Sequence, residues 1–177
     1  MGNYKKEYLK QLLIDYALVF NNIQLSSGKH SNYYIDARMV TTLPEGAQIV
    51  AEIMKNIIGE TDAVGGPELG AVPILGALAG LGYYQTFIIR KQAKKYGLNK
   101  WIEGHLGEEI AIIDDVATTG NSLLKAICTV KKCFPEIKIT KVVVLVDREE
   151  GAKEALMKRG YELVSIFKAN ELFKKEG

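Results

Sequence analysis

The run Ile110-Ala111-Ile112-Ile113 is fully apolar, and Lys141 to Val146 is the most apolar strand-like stretch in the chain. A helical period over about residues 121–133 separates them. Short apolar runs alternating with helical stretches predict βα units and a mostly parallel sheet, an α/β fold. The same alternation extends outward. Tyr33 to Ala37, Ala63-Val64 (ending in Gly65-Gly66-Pro67), Tyr84 to Ile89 and Tyr161 to Phe167 read as further strands. Gly70 to Leu81 reads as a small-residue helix, and residues 150–159 as another. Pro44 can start a helix with Ile49, Ile53, Ile57 and Ile58 as its apolar face. Tyr4, Tyr8, Leu12, Leu13, Tyr16 and Phe20 recur at helical spacing, so residues 3–20 are expected to form an amphipathic helix. Ser26 to Ser31 is turn-like. Residues 91–107 break every period and read as one long polar loop, a length usually reserved for function or disorder.

Composition narrows the class. The chain has 177 residues, one domain's worth, with 47% hydrophobic and 25% charged residues. That mix excludes disorder. Lys and Arg number 23 against 21 Asp and Glu, a net charge of +2, too balanced for an electrostatic nucleic-acid binder. The longest mainly apolar stretch, Ala71 to Gly82, is about half a membrane span, and no signal peptide is visible. Cys128 and Cys133 lie five apart on the expected helix, about 140° around its axis. They are expected to be two buried or half-buried thiols in a reducing, cytoplasmic setting.

Active sites in parallel sheets lie at the carboxyl ends of the strands. Asp114-Asp115-Val116-Ala117-Thr118-Thr119-Gly120-Asn121-Ser122 follows Ile113. Two adjacent carboxylates end a buried strand, and a hydroxyl-rich turn opens a helix. Backbone N–H groups at a helix start make a nest for phosphate. Like charges forbid the acidic pair from holding that phosphate, but they suit vicinal sugar hydroxyls, or a metal-bound ligand, beside it. The segment describes a ribose 5-phosphate cradle; the alternative is a strand end with an ordinary helix cap.

Three other strand ends add to it. Arg90-Lys91-Gln92-Ala93-Lys94-Lys95-Tyr96 carries four cations in six residues into the long loop, as a diphosphate would need. Arg148, in Val146-Asp147-Arg148-Glu149-Glu150-Gly151, suits a bidentate grip on a planar carboxylate, unless it is an Arg–Glu surface pair. Lys29 sits in a flexible turn, and one of Tyr33 and Tyr34 could flank an aromatic ring while the other packs inward. A Walker loop, a dinucleotide fingerprint, a zincin motif and a nucleophile elbow are absent from the sequence.

From the Ser-Gly-Lys-x-Ser-x-Tyr-Tyr segment to Val-Asp-Arg-x-x-Gly, the chain resembles the orotate phosphoribosyltransferases, a branch of the type I phosphoribosyltransferase family. The Asp114–Ser122 cradle is common to the type I family. The Arg90-Lys91-x-x-Lys94 loop with Ile102-Glu103-Gly104, and Ser27-Gly28-Lys29, point to the orotate branch. The resemblance implies a single domain over 1–177: a parallel sheet flanked by helices. A small N-terminal hood would be formed mainly by about residues 1–40 with the C-terminal segment. It implies transfer of the phosphoribosyl group of 5-phosphoribosyl 1-diphosphate (PRPP) to orotate, giving orotidine 5′-phosphate for pyrimidine biosynthesis. Asp114 and Asp115 would take the ribose hydroxyls, Ala117, Thr118, Thr119, Gly120, Asn121 and Ser122 would hold the 5-phosphate, and Val116 would belong to the PRPP site with them. Arg90, Lys91, Lys94 and Tyr96 would serve the diphosphate, with Lys94, Asp114 and Asp115 as the catalytic set. Lys29, Tyr33, Tyr34, Thr118 and Arg148 would border orotate. Mg²⁺ would arrive with PRPP rather than in a protein cage. A homodimer is implied, with loop 91–107 shared between subunits.

Two departures stand out. Tyr96 stands where the family loop often has His, and the turn Gly66-Pro67-Glu68-Leu69-Gly70-Ala71 lacks the Tyr-Lys pair many members carry. A purine phosphoribosyltransferase and a PRPP-sensing regulator remain open at this level. The first would have no use for Arg148 as a carboxylate clamp, and the second no need for Lys94.

Overall fold

The structure, a computed structural model, describes residues 2–20, 23–24, 30–31, 33–92 and 101–173. Helix α1 (Gly2–Leu12) runs into a π-helical turn over Leu13–Ala17. Four two-residue strands follow: β1 (Leu18–Val19), β2 (Ile23–Gln24), β3 (His30–Ser31) and β4 (Tyr34–Ile35). Next come α2 (Arg38–Thr41), α3 (Pro44–Ile58), β5 (Ala63–Pro67), α4 (Val72–Gly80), β6 (Gln85–Ile89), β7 (Ile102–Gly104) and β8 (Glu109–Ala117). The chain closes with α5 (Asn121–Cys133), β9 (Lys138–Asp147), α6 (Ala152–Met157), β10 (Leu163–Lys168) and α7 (Ala169–Phe173).

The main sheet has the order β10-β9-β8-β5-β6-β7. Its first five strands are parallel, and only β7 runs antiparallel, against β6. The apolar run in β8 explains its central place. Strand side chains alternate faces. Ile110 and Ile112 join a core with Leu123, Ala126, Ile127 and Val130 of α5. Ala111 and Ile113 join the opposite core with Val50, Met54, Ile74 and Leu78 of α3 and α4. A strand buried on both faces must read as a continuous apolar run.

Local chemistry sets the helix limits. Pro44 lies in the first turn of α3 after an extended Leu43, and Gly59 ends that helix at φ 72°. Gly65 in β5 has a packing reason as well: a Cβ built there would lie 2.1 Å from the Phe87 ring. The glycine lets the wholly buried phenyl group lie flat across its neighbour strand.

Several expectations need correction. The helix expected over 3–20 stops short, because Leu18-Val19 pairs antiparallel with Ile35-Tyr34. The stripe behind it also differs. Leu9, Leu12, Leu13 and Ala17 are buried, whereas Tyr4, Tyr8, Tyr16 and Phe20 are exposed. Aromatic side chains kept the helical spacing without sharing the buried face. The strand expected over Tyr33–Ala37 shrinks to Tyr34–Ile35, and Arg38 already begins α2. His30-Ser31, read as turn, pairs with Ile23-Gln24. The 91–107 loop is interrupted by β7, whose three residues extend the sheet edge. Cys128 and Cys133, expected at least half-buried, are both exposed free thiols; α5 buries Leu123, Ala126, Ile127 and Val130 instead.

Phe87→Ala should cost about 3–5 kcal/mol, because Gly65 offers no side chain to refill the space. Denaturant unfolding of the variant beside the parent chain measures this.

Candidate active site

The parallel strands end on one edge of the sheet, and one cleft of about 760 Å³ opens there. β5 delivers Glu68, Leu69 and Gly70 to it, β6 delivers Lys91, and β8 with the turn after it delivers Asp114 to Leu123. Arg148 arrives from the end of β9. The N-terminal segment supplies Tyr34, Ile35, Asp36 and Arg38.

Asp114 and Asp115 do not end the strand, as the sequence suggested; β8 continues to Ala117. Each carboxylate accepts the next backbone N–H. Asp115 donates to Asp114 Oδ1 at 3.0 Å, and Val116 donates to Asp115 Oδ1 at 2.7 Å. A Cβ on Gly70 would fall 2.3 Å from Asp115 Oδ1, so only glycine leaves the carboxylate its place. Burial, then the neighbouring Asp115 charge, raises the Asp114 carboxyl well above the usual range. Asp115 is raised too, chiefly by burial, against the Val116 N–H and the Arg38 charge.

The chain then turns into α5. Gly120 takes φ 78° at the N-cap, a left-handed conformation that glycine adopts without cost. Its missing side chain also lets it lie against Ala152, whose Cα would be 3.2 Å from a Cβ there. Thr118, Thr119, Gly120, Asn121 and Ser122 line the cleft around the first turn of this helix. N–H groups of a first helical turn have no partner within the helix and are suited to an anion. The Arg148 N–H donates to the Ala117 carbonyl at 2.9 Å, which ties the two strand ends together.

Arg148 is no surface pair. Its side chain is 3% exposed, and Nη2 donates to Glu150 Oε1 at 2.9 Å. The guanidinium carbon lies 4.5 Å from the centre of the Tyr33 ring. Tyr33 in turn meets Phe173 edge-on at 4.6 Å, and Phe20 lies 6.0 Å from the same Phe173 ring. Tyr33 is therefore a platform beneath the arginine, while Tyr34 lines the cleft.

The cations expected to serve the diphosphate divide. Lys91 lines the cleft, but Arg90 does not. Pairing of β7 with β6 brings Glu103 within 3.8 Å of Arg90 Nη1, so the arginine is directed at the sheet edge. Lys29, Lys94 and Tyr96 lie outside the described residues. Sequence reasoning missed Arg38, Asp36, Glu68, Gly70 and Lys125, all in the cleft lining. Glu68 donates its N–H to the Ile89 carbonyl at 2.9 Å and accepts the Lys91 N–H on Oε1 at 2.7 Å. It couples the end of β5 to the root of the long loop. Its place directly after β5 was the signal; Lys125 could have been found one helical turn beyond Asn121.

An open first helical turn suited to an anion, beside two adjacent carboxylates at a parallel sheet's carboxyl edge, is an arrangement that suits a sugar phosphate. Residues 36–174 match the phosphoribosyl transferase domain family. The orotate phosphoribosyltransferase of Pyrococcus furiosus is 40% identical, with 98% of this chain and 97% of that protein covered. That of Methanocaldococcus jannaschii is 42% identical, with 95% and 97% covered. The crystal structure of Mycobacterium tuberculosis orotate phosphoribosyltransferase in complex with PRPP superposes with a TM-score of 0.77 at 27% identity, covering 95% of this chain and 98% of that one. The chain belongs to the phosphoribosyltransferases, and within them to the orotate phosphoribosyltransferase family.

The raised carboxyls carry a pH signature. In the unfolded chain they ionise in the ordinary carboxylate range; the folded pair keeps its protons to higher pH. Folding therefore takes up protons in that window, and stability falls as pH rises from the ordinary carboxylate range through the raised values. Asp114→Asn removes the buried charge and retains an acceptor for the Asp115 N–H. It should stabilise the ligand-free protein by about 0.5–2 kcal/mol near neutral pH, with less gain in acid. Denaturant unfolding at pH 5 and pH 7.5 checks both the sign and the trend.

Proposed function

We propose that this cleft transfers the phosphoribosyl group of PRPP to orotate, forming orotidine 5′-phosphate and diphosphate for pyrimidine biosynthesis. One observation carries the reading: the carboxylate pair and phosphate nest share their cleft with a buried arginine fixed on an aromatic platform. The nest suits the 5-phosphate, and Asp114 and Asp115 suit the ribose hydroxyls. Arg148 suits the orotate carboxylate, exchanging Glu150 for it, with Thr118 and Tyr34 beside the ring and Lys29 bordering it. Tyr33 acts through Arg148, by holding the guanidinium plane.

The bond from ribose C1 to the diphosphate oxygen breaks as orotate N1 bonds to C1, and C1 passes through an oxocarbenium-like state. Negative charge grows on the leaving diphosphate, so cations aimed there act chiefly in the transition state. Lys91 sits at the cleft, and Lys94 would descend with the loop, Tyr96 donating beside it. Arg90 would join them by exchanging Glu103 for the substrate. Orotate N1 gives up its proton as the bond to C1 forms, and the departing diphosphate, a basic oxyanion, can take that proton, so no strong general base is needed from the protein. Loop closure would also exclude water, a competing acceptor at C1.

Among the described residues no group of three or more His, Cys, Asp or Glu side chains could hold a metal ion. The donor set fits Mg²⁺ carried on PRPP, an ion that binds through substrate oxygens and keeps several waters. Asp114 and Asp115 would be the protein's share in holding it, and the bound ion would neutralise charge on the departing diphosphate. The reading extends to a homodimer with loop 91–107 shared between subunits, and to a hood built from about residues 1–40 with the C-terminal segment. The contacts of Phe20 and Tyr33 with Phe173 support that hood. The reading extends to a reducing, cytoplasmic setting. Among the described residues no helix is long and apolar enough to cross a membrane.

Orotate should be consumed with PRPP and Mg²⁺, followed by its ultraviolet absorbance. Equal turnover of adenine, guanine or hypoxanthine would transfer the assignment to a purine enzyme. Arg148→Ala should weaken orotate roughly 30-fold or more, since removing one partner of a buried charged contact costs about 2–5 kcal/mol. PRPP affinity should hold within a few-fold in the same titrations.

Lys94→Ala should lower kcat by about 10²–10³-fold, the usual effect of deleting one transition-state donor. Mixed with inactive Asp114→Asn/Asp115→Asn subunits, it should recover up to about a quarter of parental activity, because one site of each mixed twofold dimer is then complete. Absence of recovery despite proven subunit exchange would put Lys94 in its own subunit's site.

A further inference from the structure

The turn from Gly66 to Ala71 borders the cleft but carries no cation, and its one charged side chain, Glu68, is negative. Other cleft cations are placed elsewhere. Arg148 is buried between Glu150 and Tyr33. Lys125 lies on α5, on the phosphate-nest side. Lys91 sits at the loop root, where its backbone N–H is held by Glu68. Arg38 is different. It stands at the start of α2, lines the same cleft, and its side chain is 42% exposed.

Its guanidinium is already oriented. Nε donates to Asp36 Oδ1 at 2.8 Å and Nη2 donates to Asp36 Oδ2 at 2.9 Å, a bidentate fork. Asp36 is itself fixed, with its backbone N–H donating to the Ala17 carbonyl at 2.9 Å. The fork uses one edge of the planar group and leaves Nη1 with no hydrogen bond among the described residues. A fork held this way loses little freedom when the outer edge meets an anion. The position along the cleft is also informative. Arg38 acts on Asp115, whose carboxylate abuts Gly70 of the cation-free turn, whereas the phosphate nest begins beyond Ala117. Arg38 thus belongs to the sugar end that carries C1.

We infer that Arg38 is a diphosphate-binding residue, its Asp36-anchored guanidinium supplying the fixed cation that the Gly66–Ala71 turn lacks. The inference rests on the PRPP-dependent reading above. In that scheme Arg38 is present before the loop closes, so it helps dock PRPP and retain diphosphate, while the loop cations act later.

The test is calorimetric binding of inorganic diphosphate with Mg²⁺, and separately of ribose 5-phosphate, to the parent protein, Arg38→Gln and Arg38→Lys. Parent protein that binds neither ligand would refute the PRPP reading itself, apart from any role of Arg38. With that reading intact, Arg38→Gln should weaken diphosphate roughly tenfold to a hundredfold, the scale of lost charge-assisted hydrogen bonds. Ribose 5-phosphate should change by less than about twofold, because it lacks the group Arg38 would meet. Arg38→Lys, which keeps the charge and tolerates Asp36 beside it, should recover part of the diphosphate affinity; it also serves as the readout if the glutamine variant does not fold. Equal weakening of both ligands would assign Arg38 to the ribose or to general structure. Unchanged diphosphate affinity would remove it from the site. Either result overturns the inference.

Discussion

Two carboxylates held side by side at the buried end of β8 set the terms for everything around them. Desolvation and mutual repulsion both oppose their charge, and each is stabilised by the following backbone N–H. Such a pair survives only where the scaffold is strong. Here it is the central strand, with parallel partners on both sides and apolar cores on both faces. The same pair dictates Gly70, because a side chain there would collide with Asp115. It explains a cation on the facing segment as well, since Arg38 opposes the rise in the Asp115 carboxyl. A buried carboxylate pair of this kind costs stability, a familiar trade against function.

Charge in the cleft is held in several different ways. The phosphate nest is backbone, built into the first turn of a 13-residue helix. Arg148 is locked by burial, a partner carboxylate and an aromatic platform. Arg38 is fixed by its fork on Asp36 yet presents an outer edge. Lys91 begins the long loop, tied at its root through Glu68. A substrate with phosphate at one end, diphosphate at the other and a planar anion arriving between them suits this gradation.

The sheet was legible because its signals are local. Ile110–Ile113 and Lys141–Val146 needed no context to be read as strands, and a glycine-containing turn after Asp115 could only open a helix. That Asp114 to Ser122 share one cleft was legible for the same reason, since these residues are contiguous. The N-terminal segment was not. Tyr4, Tyr8, Tyr16 and Phe20 gave a helical period, but the burial of Leu9, Leu12, Leu13 and Ala17 and the pairing of Leu18 with Ile35 decide the outcome. Ile102–Gly104 reads as a motif but not as a strand, because a three-residue edge strand has too few residues to show a period.

Sequence by itself determined the fold class and the family, since these depend on short-range order along the chain. Tertiary structure decided the rest of the cleft. Tyr33, predicted beside the ligand, became the support for Arg148, and Arg90 turned toward Glu103 when β7 closed on β6. Arg38, unremarkable in the sequence, entered the cleft because Asp36 holds it there. These assignments depend on which residues distant in the chain meet across an edge, and no local pattern encodes that.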